Sequence, residues 1–96
     1  MIVHLKLYGV FRFAAGTDTL SLDLTGEEPT VRVAIDELVS RPNLLELKRL
    51  IFGEASDPRS NALILLGGRE IGALGGLDTK LKCDDELSLL PIAHGG

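Results

Sequence analysis

The sequence offers few side chains that could do chemistry, and they are scattered along the chain. It has one cysteine, Cys83, and two histidines, His4 and His94. Zinc sites and nucleophile–base pairs need several such groups at set spacings, and we find none of these patterns. The remaining candidate is the terminal Gly95-Gly96, whose carboxylate follows two residues without side chains. Glycine has no side chain to clash and lets the backbone approach another group closely, so this terminus is the candidate that the rest of the chain must position.

The other candidates favour ordinary structural roles. Cys83 could relay sulfur, but only two nearby lysines could activate it, so an incidental turn cysteine is the favoured interpretation. His94 could contact a partner pocket or simply be solvated. The glycine pairs at 67–68 and 75–76 lack the lysine and the strand–loop–helix context of a phosphate loop. We therefore expect them to form turns.

Charge and hydropathy exclude several classes of protein. The net charge is −4 and the isoelectric point is about 5.0, whereas nucleic-acid binding needs clustered Lys and Arg. No apolar run approaches the ~18 residues of a membrane helix, and Lys6 and Arg12 interrupt any signal-peptide pattern. We therefore expect a cytoplasmic protein with no nucleic-acid or membrane partner.

Apolar periodicity predicts the elements that must position the terminus. Alternation predicts two hairpin-paired strands at 2–10 and 19–24, with a short helical turn at 11–15 ended by Gly16. Thr30 can cap a helix whose apolar residues recur at helical spacing, and Pro42 can begin a second one that ends at Gly53. The apolar positions of the two helices are Val31, Ala34, Ile35, Leu38, Val39, Leu44, Leu47, Leu50 and Ile51.

Three further strands complete the pattern. They are predicted at 62–66, 69–71 and 86–92, with Gly67-Gly68 as the hairpin turn between the first two. The order of elements predicts an α+β fold, a β-grasp domain in which a single sheet has a helix on one face. The domain spans 1–92, and 93–96 form a flexible C-terminal tail.

The last strand and its neighbour carry apolar residues on both faces. Because a helix covers only one face of such a sheet, Leu90, Ile92 and some of Ile64 or Leu66 should form an exposed apolar patch. Such patches often mark docking sites. Alternatively, the face is covered by residues 40–60 or by a second copy of the chain.

The end of the chain resembles a known family. Residues 84–96 combine an acidic turn, an apolar strand, a proline and a terminal Gly-Gly, as in the MoaD/ThiS sulfur carriers. The proline resembles the small subunit of molybdopterin synthase more than the thiamine carrier. Gly67 and Asp84 depart from the usual Asn and Gly, but each tolerates a turn. Further resemblances are Leu7-Tyr8-Gly9, Ala14-Ala15-Gly16, Gly68-Arg69-Glu70-Ile71 and Gly76-Leu77-Asp78-Thr79-Lys80-Leu81.

The resemblance implies a non-catalytic carrier, the small subunit of molybdopterin synthase. An E1-like adenylyltransferase of the MoeB/ThiF type would adenylate Gly96 with ATP, and a persulfide would then leave a thiocarboxylate. A MoaE-type large subunit would hold the tail while sulfur is donated to molybdopterin or tungstopterin synthesis. The carrier itself would bind no cofactor and no metal. The tail and partner-binding residues would be Leu90, Pro91, Ile92, Ala93, His94 and Gly95.

Three alternatives stay open at this point. Activated Gly96 could be joined to lysines of other proteins, as in ubiquitin-like modifiers. The chain could carry sulfur for thiamine synthesis or tRNA thiolation. It could also be a plain interaction module, because the β-grasp scaffold hosts many functions.

Overall fold

A computed structural model describes residues 1–93, which are built around a five-stranded sheet of order β2-β1-β5-β3-β4. β1 pairs antiparallel with β2 and parallel with β5, and β3 pairs antiparallel with β5 and β4. The central position of the last strand and the parallel β1–β5 pair match the predicted β-grasp layout. The strands are Ile2–Leu7 (β1), Thr19–Asp23 (β2), Ala62–Leu66 (β3), Arg69–Glu70 (β4) and Glu86–Pro91 (β5).

Within residues 1–93, three α-helices and four single turns of 3₁₀-helix connect the strands. The helix predicted after Thr30 is confirmed as Val31–Val39 (α2), and the one predicted from Pro42 begins as a 3₁₀ turn and becomes α-helical at Leu45. The Thr30 hydroxyl caps α2 by accepting a hydrogen bond from the Val33 backbone N–H at 3.3 Å. Gly53 follows the last residue of α3. The α-helices are Gly9–Ala15 (α1), Val31–Val39 (α2) and Leu45–Phe52 (α3), and the 3₁₀ turns are Pro42–Leu44, Pro58–Ser60, Ile71–Ala73 and Gly76–Asp78.

The core lies between the helices and one face of the sheet. All five predicted apolar residues of α2 are buried, because the i, i+3, i+4, i+7 spacing places them on one side of the helix. Strand residues of one parity meet them, since alternate side chains of a strand share a face. These inward strand residues include Val3, Leu5, Leu7, Leu22, Ile64, Leu87 and Leu89.

Four predicted strands end earlier than the alternation suggested, and the second does so by one residue, at Asp23 rather than Leu24. The first ends at Leu7 rather than at residue 10, because Gly9 has φ +54° and begins α1. The hairpin return ends at Glu70, and Ile71 turns into a 3₁₀-helix that buries its side chain in the core. The last strand ends at Pro91 instead of Ile92. In each case the chain leaves the sheet before the apolar pattern in the sequence stops.

Candidate functional site

The site is organised by β5, which leads directly toward the chain terminus. This strand lies between β1 and β3, and its inward residues Leu87 and Leu89 are completely buried. A central strand is held by hydrogen bonds on both sides, whereas an edge strand is held on one. β5 is therefore held on both sides as far as Leu89, and by β3 alone over Leu90 and Pro91, where the chain leaves the sheet.

The predicted partner-binding residues Leu90 to Ala93 follow at the end of this strand. Leu90 and Pro91 are half-buried and lie opposite Leu63 and Ala62 of β3. Ile92 is 40 % exposed, and its backbone N–H donates to the Asn61 carbonyl at 3.0 Å. Ala93 is exposed. The side chains thus become progressively more exposed as the chain leaves the domain.

The remaining predicted site residues are His94, Gly95 and Gly96, and they lie outside the described residues 1–93. The assignment of the terminal carboxylate as the reacting group, and of 93–96 as a flexible tail, therefore stays a prediction. The structure instead defines the surface from which these residues continue. We call the segment from Leu90 to Ala93 the tail root.

The tail root contacts the start of α1 on one side. The Tyr8 backbone N–H donates to the Leu89 carbonyl at 3.2 Å, which continues the β1–β5 ladder one step beyond β1. Gly9 follows and lies against the ring of Pro91. Sequence reasoning assigned Tyr8 and Gly9 to the first strand and attached no role to Asn61. Only the paired strands bring these three residues to the tail root.

An ion pair stabilises the turn that carries Asn61. The Asp57 carboxylate accepts hydrogen bonds from the Arg59 backbone N–H at 2.8 Å and from its guanidinium Nη2 at 2.7 Å. The side-chain hydrogen bond from Arg59 is the main reason why the pKa of Asp57 falls from 3.8 to about 2. The hydrogen bond with the Asp57 carboxylate in turn raises the pKa of the Arg59 guanidinium. The pair spans the 3₁₀ turn that immediately precedes Asn61.

The sheet face opposite the core carries an exposed apolar patch, as predicted, but with different β3 members. The β3–β5 register pairs Ile64 with Leu89 and Leu66 with Leu87. Since Leu87 and Leu89 point into the core, Ile64 is buried and Leu66 packs against the core, so neither can contribute to the patch. Leu63 and Leu65, which alternate with these two residues along β3, face outward and contribute to the patch instead. We define the outer patch as Leu63, Leu65, Leu90 and Ile92.

The outer patch occupies only one end of this face. Leu63, which is 39 % exposed, pairs with Leu90 at the end where β5 finishes. At the other end, the His4 ring is within hydrogen-bond distance of Ser21 Oγ (3.3 Å) and Asp84 Oδ1 (3.1 Å). The face is therefore apolar beside the tail root and carries the polar His4 and Ser21 side chains farther away, with the part-exposed Ile2 beyond them.

The residues around 40–60 do not cover the outer patch. Leu44, Leu47 and Ile51 of this segment are buried in the same core as α2. The alternative in which this insertion shields the second face is therefore wrong, because its apolar stripe is already used on the core side. Within residues 1–93, no other element packs over Leu63 and Ile92, which keep about two-fifths of their surface accessible.

The remaining candidates do not form a second site. Cys83 is exposed, and its Sγ lies 3.7 Å from Asp84 Oδ2. Asp84 has φ +66°, as a turn residue at this position requires. Among the described residues, no three His, Cys, Asp or Glu side chains are grouped to hold a metal ion. Nor does any helix within 1–93 have the length and hydropathy to cross a membrane.

Comparison with solved structures places the chain among small proteins of the same architecture. It is similar to the small archaeal modifier protein SAMP1 of Methanosarcina acetivorans, with 38 % identity and a TM-score of 0.73 over 99 % of this chain and 96 % of that one. It is also similar to a Pyrococcus furiosus protein assigned as molybdopterin converting factor subunit 1, with 28 % identity and a TM-score of 0.75 over 97 % and 99 % of the two chains.

A third similar structure comes from a complex of two proteins. A chain of the Amycolatopsis orientalis BexX/CysO complex is 26 % identical, with a TM-score of 0.66 over 98 % of this chain and 99 % of that one. No protein-family model and no curated protein sequence matches the chain. The likeness is thus carried by whole-chain structure together with moderate sequence identity.

Proposed function

We propose that this chain, which belongs to the MoaD/ThiS family of ubiquitin-like sulfur carriers, uses a thiocarboxylate on Gly96 to donate sulfur in molybdopterin biosynthesis. The observation that carries this proposal is the position of the tail root. It ends the central strand of the sheet, is anchored to Asn61, and lies beside the exposed outer patch. A carrier needs such a firmly held base from which a terminus extends into a partner's active site.

The chemistry would take place on the terminal carboxylate. A carboxylate oxygen of Gly96 attacks the α-phosphorus of ATP and releases pyrophosphate, which forms an acyl-adenylate. A persulfide sulfur then attacks the acyl carbon and displaces AMP, and a thiol reduces the resulting acyl disulfide to the thiocarboxylate. The small residues at 95 and 96 matter because misplacing the acyl carbon by about 1 Å can lower the rate on the order of 100-fold.

Two partner proteins follow from this proposal. An E1-like enzyme of the MoeB/ThiF type would bind ATP and catalyse adenylation, and a MoaE-type large subunit would consume the thiocarboxylate. The outer patch supports such docking, because exposed apolar residues next to a reactive terminus would bury surface when the tail is inserted. The Amycolatopsis orientalis relative is described in complex with a partner protein, which supports the same mode of action.

The decisive experiment is to incubate the chain with ATP, the E1-like enzyme of its source and a sulfur donor, and to measure its intact mass. We expect the mass increase that accompanies replacement of one oxygen by sulfur, located on Gly96 by fragmentation. The matched control is the chain with Gly96 deleted, which should stay unmodified. A wild-type mass that does not change under these conditions would contradict the carrier proposal.

A second function is favoured by one observation, the 38 % identity to a small archaeal modifier protein. In that case the activated Gly96 acyl carbon would be attacked by a lysine amine of a target protein, forming an isopeptide bond. The same reaction, repeated with cell extract, separates the two functions. After tryptic cleavage at Lys82, peptides in which residues 83–96 are joined through Gly96 to a lysine would indicate conjugation. A carrier would be recovered unconjugated, as the thiocarboxylate before sulfur transfer and as the free carboxylate after it.

A further inference from the structure

Gly9 occupies the junction between β1 and α1, directly beside the tail root. Its φ of +54° lies in the left-handed region, which residues with a Cβ enter at a cost. It follows Tyr8, whose N–H makes the last described β1-side hydrogen bond to β5. The glycine is therefore placed where β5 stops being held by β1.

Space at this junction is as restrictive as the backbone angle. A Cβ built on Gly9 would lie 3.0 Å from Pro91 Cγ and 3.5 Å from Pro91 Cδ. The proline ring cannot rotate away, because it is closed onto its own backbone. The backbone of Pro91 is in turn paired with Ala62 of β3. A side chain at position 9 therefore requires the Pro91 ring to give by a few tenths of an ångström, through its pucker or its position.

The opposite side of the tail root is held by a hydrogen bond. The Ile92 N–H donates to the Asn61 carbonyl at 3.0 Å. The chain thus leaves the sheet between a steric wall, the Gly9 backbone against Pro91, and an anchor at Asn61. A displacement of Pro91 would be passed to Ile92, the next residue of the tail root.

We propose that Gly9 is a positioning residue that sets the direction in which the tail leaves the domain. This inference rests on the proposed function, since direction matters only if Gly96 must reach a partner's active site. It assigns Gly9 no contact with substrate. Its effect is transmitted through Pro91.

The chain offers a matched control at Gly16, the C-cap of α1. Gly16 has φ +74°, similar to that of Gly9, but a Cβ built there meets no atom within 4 Å. Replacing either glycine by alanine therefore introduces the same kind of backbone strain. Only the Gly9→Ala substitution adds a contact with the tail root.

The test measures steady-state adenylation by the E1-like enzyme for the wild type, Gly9→Ala and Gly16→Ala. We expect Gly9→Ala to lower kcat about tenfold with little change in KM, because docking is intact while the acyl carbon is misplaced. Gly16→Ala should behave like the wild type. Equal effects of the two substitutions would overturn the proposal, because strain alone would then explain them.

Removal of the proline ring supplies the second arm. Pro91→Ala should itself lower kcat and speed hydrogen exchange at the Ile92 amide, and Gly9→Ala should then add no further effect when combined with Pro91→Ala. If the two substitutions lower kcat independently, so that their fold-changes multiply in the double variant, the effect of Gly9 is not transmitted through Pro91. If Gly9→Ala does not fold, the Ile92 amide exchange of Pro91→Ala decides, because kcat also reports on Pro91 as a partner-binding residue. An unchanged exchange rate would then reject the inference.

Failure of this inference is distinguishable from failure of the proposed function. If wild-type chain is not adenylated at all, the proposed function is wrong. The geometric part is then decided by Ile92 exchange, which should differ between Gly9→Ala and Gly16→Ala. If the wild type is adenylated and the two alanine variants match, only the positioning role is wrong.

Discussion

The two faces of the β3–β5 pair carry the same type of residue in opposite environments. On the inner face, Ile64, Leu87 and Leu89 are at most 1 % exposed. On the outer face, Leu63 opposes Leu90 across the same two strands and is 39 % exposed. The two faces share the same strands, the same register and the same type of side chain. Their exposure differs because helices cover only the inner face.

This difference separates residues that hold the fold together from residues available to a partner. The inner leucines gain their burial free energy within the chain, about 25 cal/mol for each Å² of apolar surface removed from water. The outer patch retains apolar surface that only another molecule can bury. The following substitutions should therefore have opposite consequences on the two faces.

The largest effect is expected from Leu89→Ala on the inner face. Truncation leaves a cavity between β1, β3 and the helices, and we expect the free energy of unfolding to fall by about 3 kcal/mol. Urea denaturation followed by circular dichroism measures this loss. The matched control is Leu63→Ala on the outer face, which should cost about 1 kcal/mol or less. Similar losses would show that the two faces are not energetically distinct.

The complementary substitution is Leu90→Asp on the outer face. A charge placed in the outer patch should weaken binding to the proposed activating enzyme or the proposed large subunit about 100-fold, roughly 2.7 kcal/mol, while the chain stays folded. Calorimetric titration measures the affinity. Ser21→Asp places the same charge at the polar end of this face and should leave binding unchanged. Unaltered affinity of Leu90→Asp would reject the outer patch as an interface.

A smaller effect is expected from the cap of α2, the helix that covers the inner face. Thr30→Ala removes the hydroxyl that accepts from the Val33 N–H, and should lower the free energy of unfolding by about 1 kcal/mol. Thr30→Ser keeps the hydroxyl and should retain most of the stability. Because the cap lies on the core side, neither variant should alter partner binding. A change in affinity would mean that the faces are coupled.

The smallest effect is expected from the Asp57–Arg59 pair near the tail root. The pKa of Asp57 is lowered from 3.8 to about 2 in the folded chain, so its stabilisation is complete above the unfolded value and is lost as the pH falls toward 2. Because the pair is substantially exposed, Asp57→Asn should cost no more than about 1 kcal/mol at neutral pH. Thermal unfolding at several pH values should show the difference between variant and wild type vanish in acid; a constant difference would contradict an ionic origin.

Much of the fold could be predicted from the sequence because local patterns report local structure. The spacing from Val31 to Val39 predicted α2 and its buried face, and Thr30 and Gly53 marked where helices begin and end. Strand ends were less predictable. Apolar alternation continues to Val10, Ile71 and Ile92, whereas the paired strands end at Leu7, Glu70 and Pro91. That pairing is a property of the sheet and leaves no trace in a single strand.

The sequence by itself determined the family resemblance, which rests on the short motifs along the chain and the terminal Gly95-Gly96. It also showed that the last strand has apolar residues on both faces. Tertiary structure alone decided which residues face outward beside Leu90. Parity within β3 is ambiguous because all five of its residues are apolar, and only the register with β5 assigns Leu63 outward and Ile64 inward. Tertiary structure likewise brought Gly9 and Asn61 to the tail root, since contacts between residues so distant along the chain arise only when the strands pair.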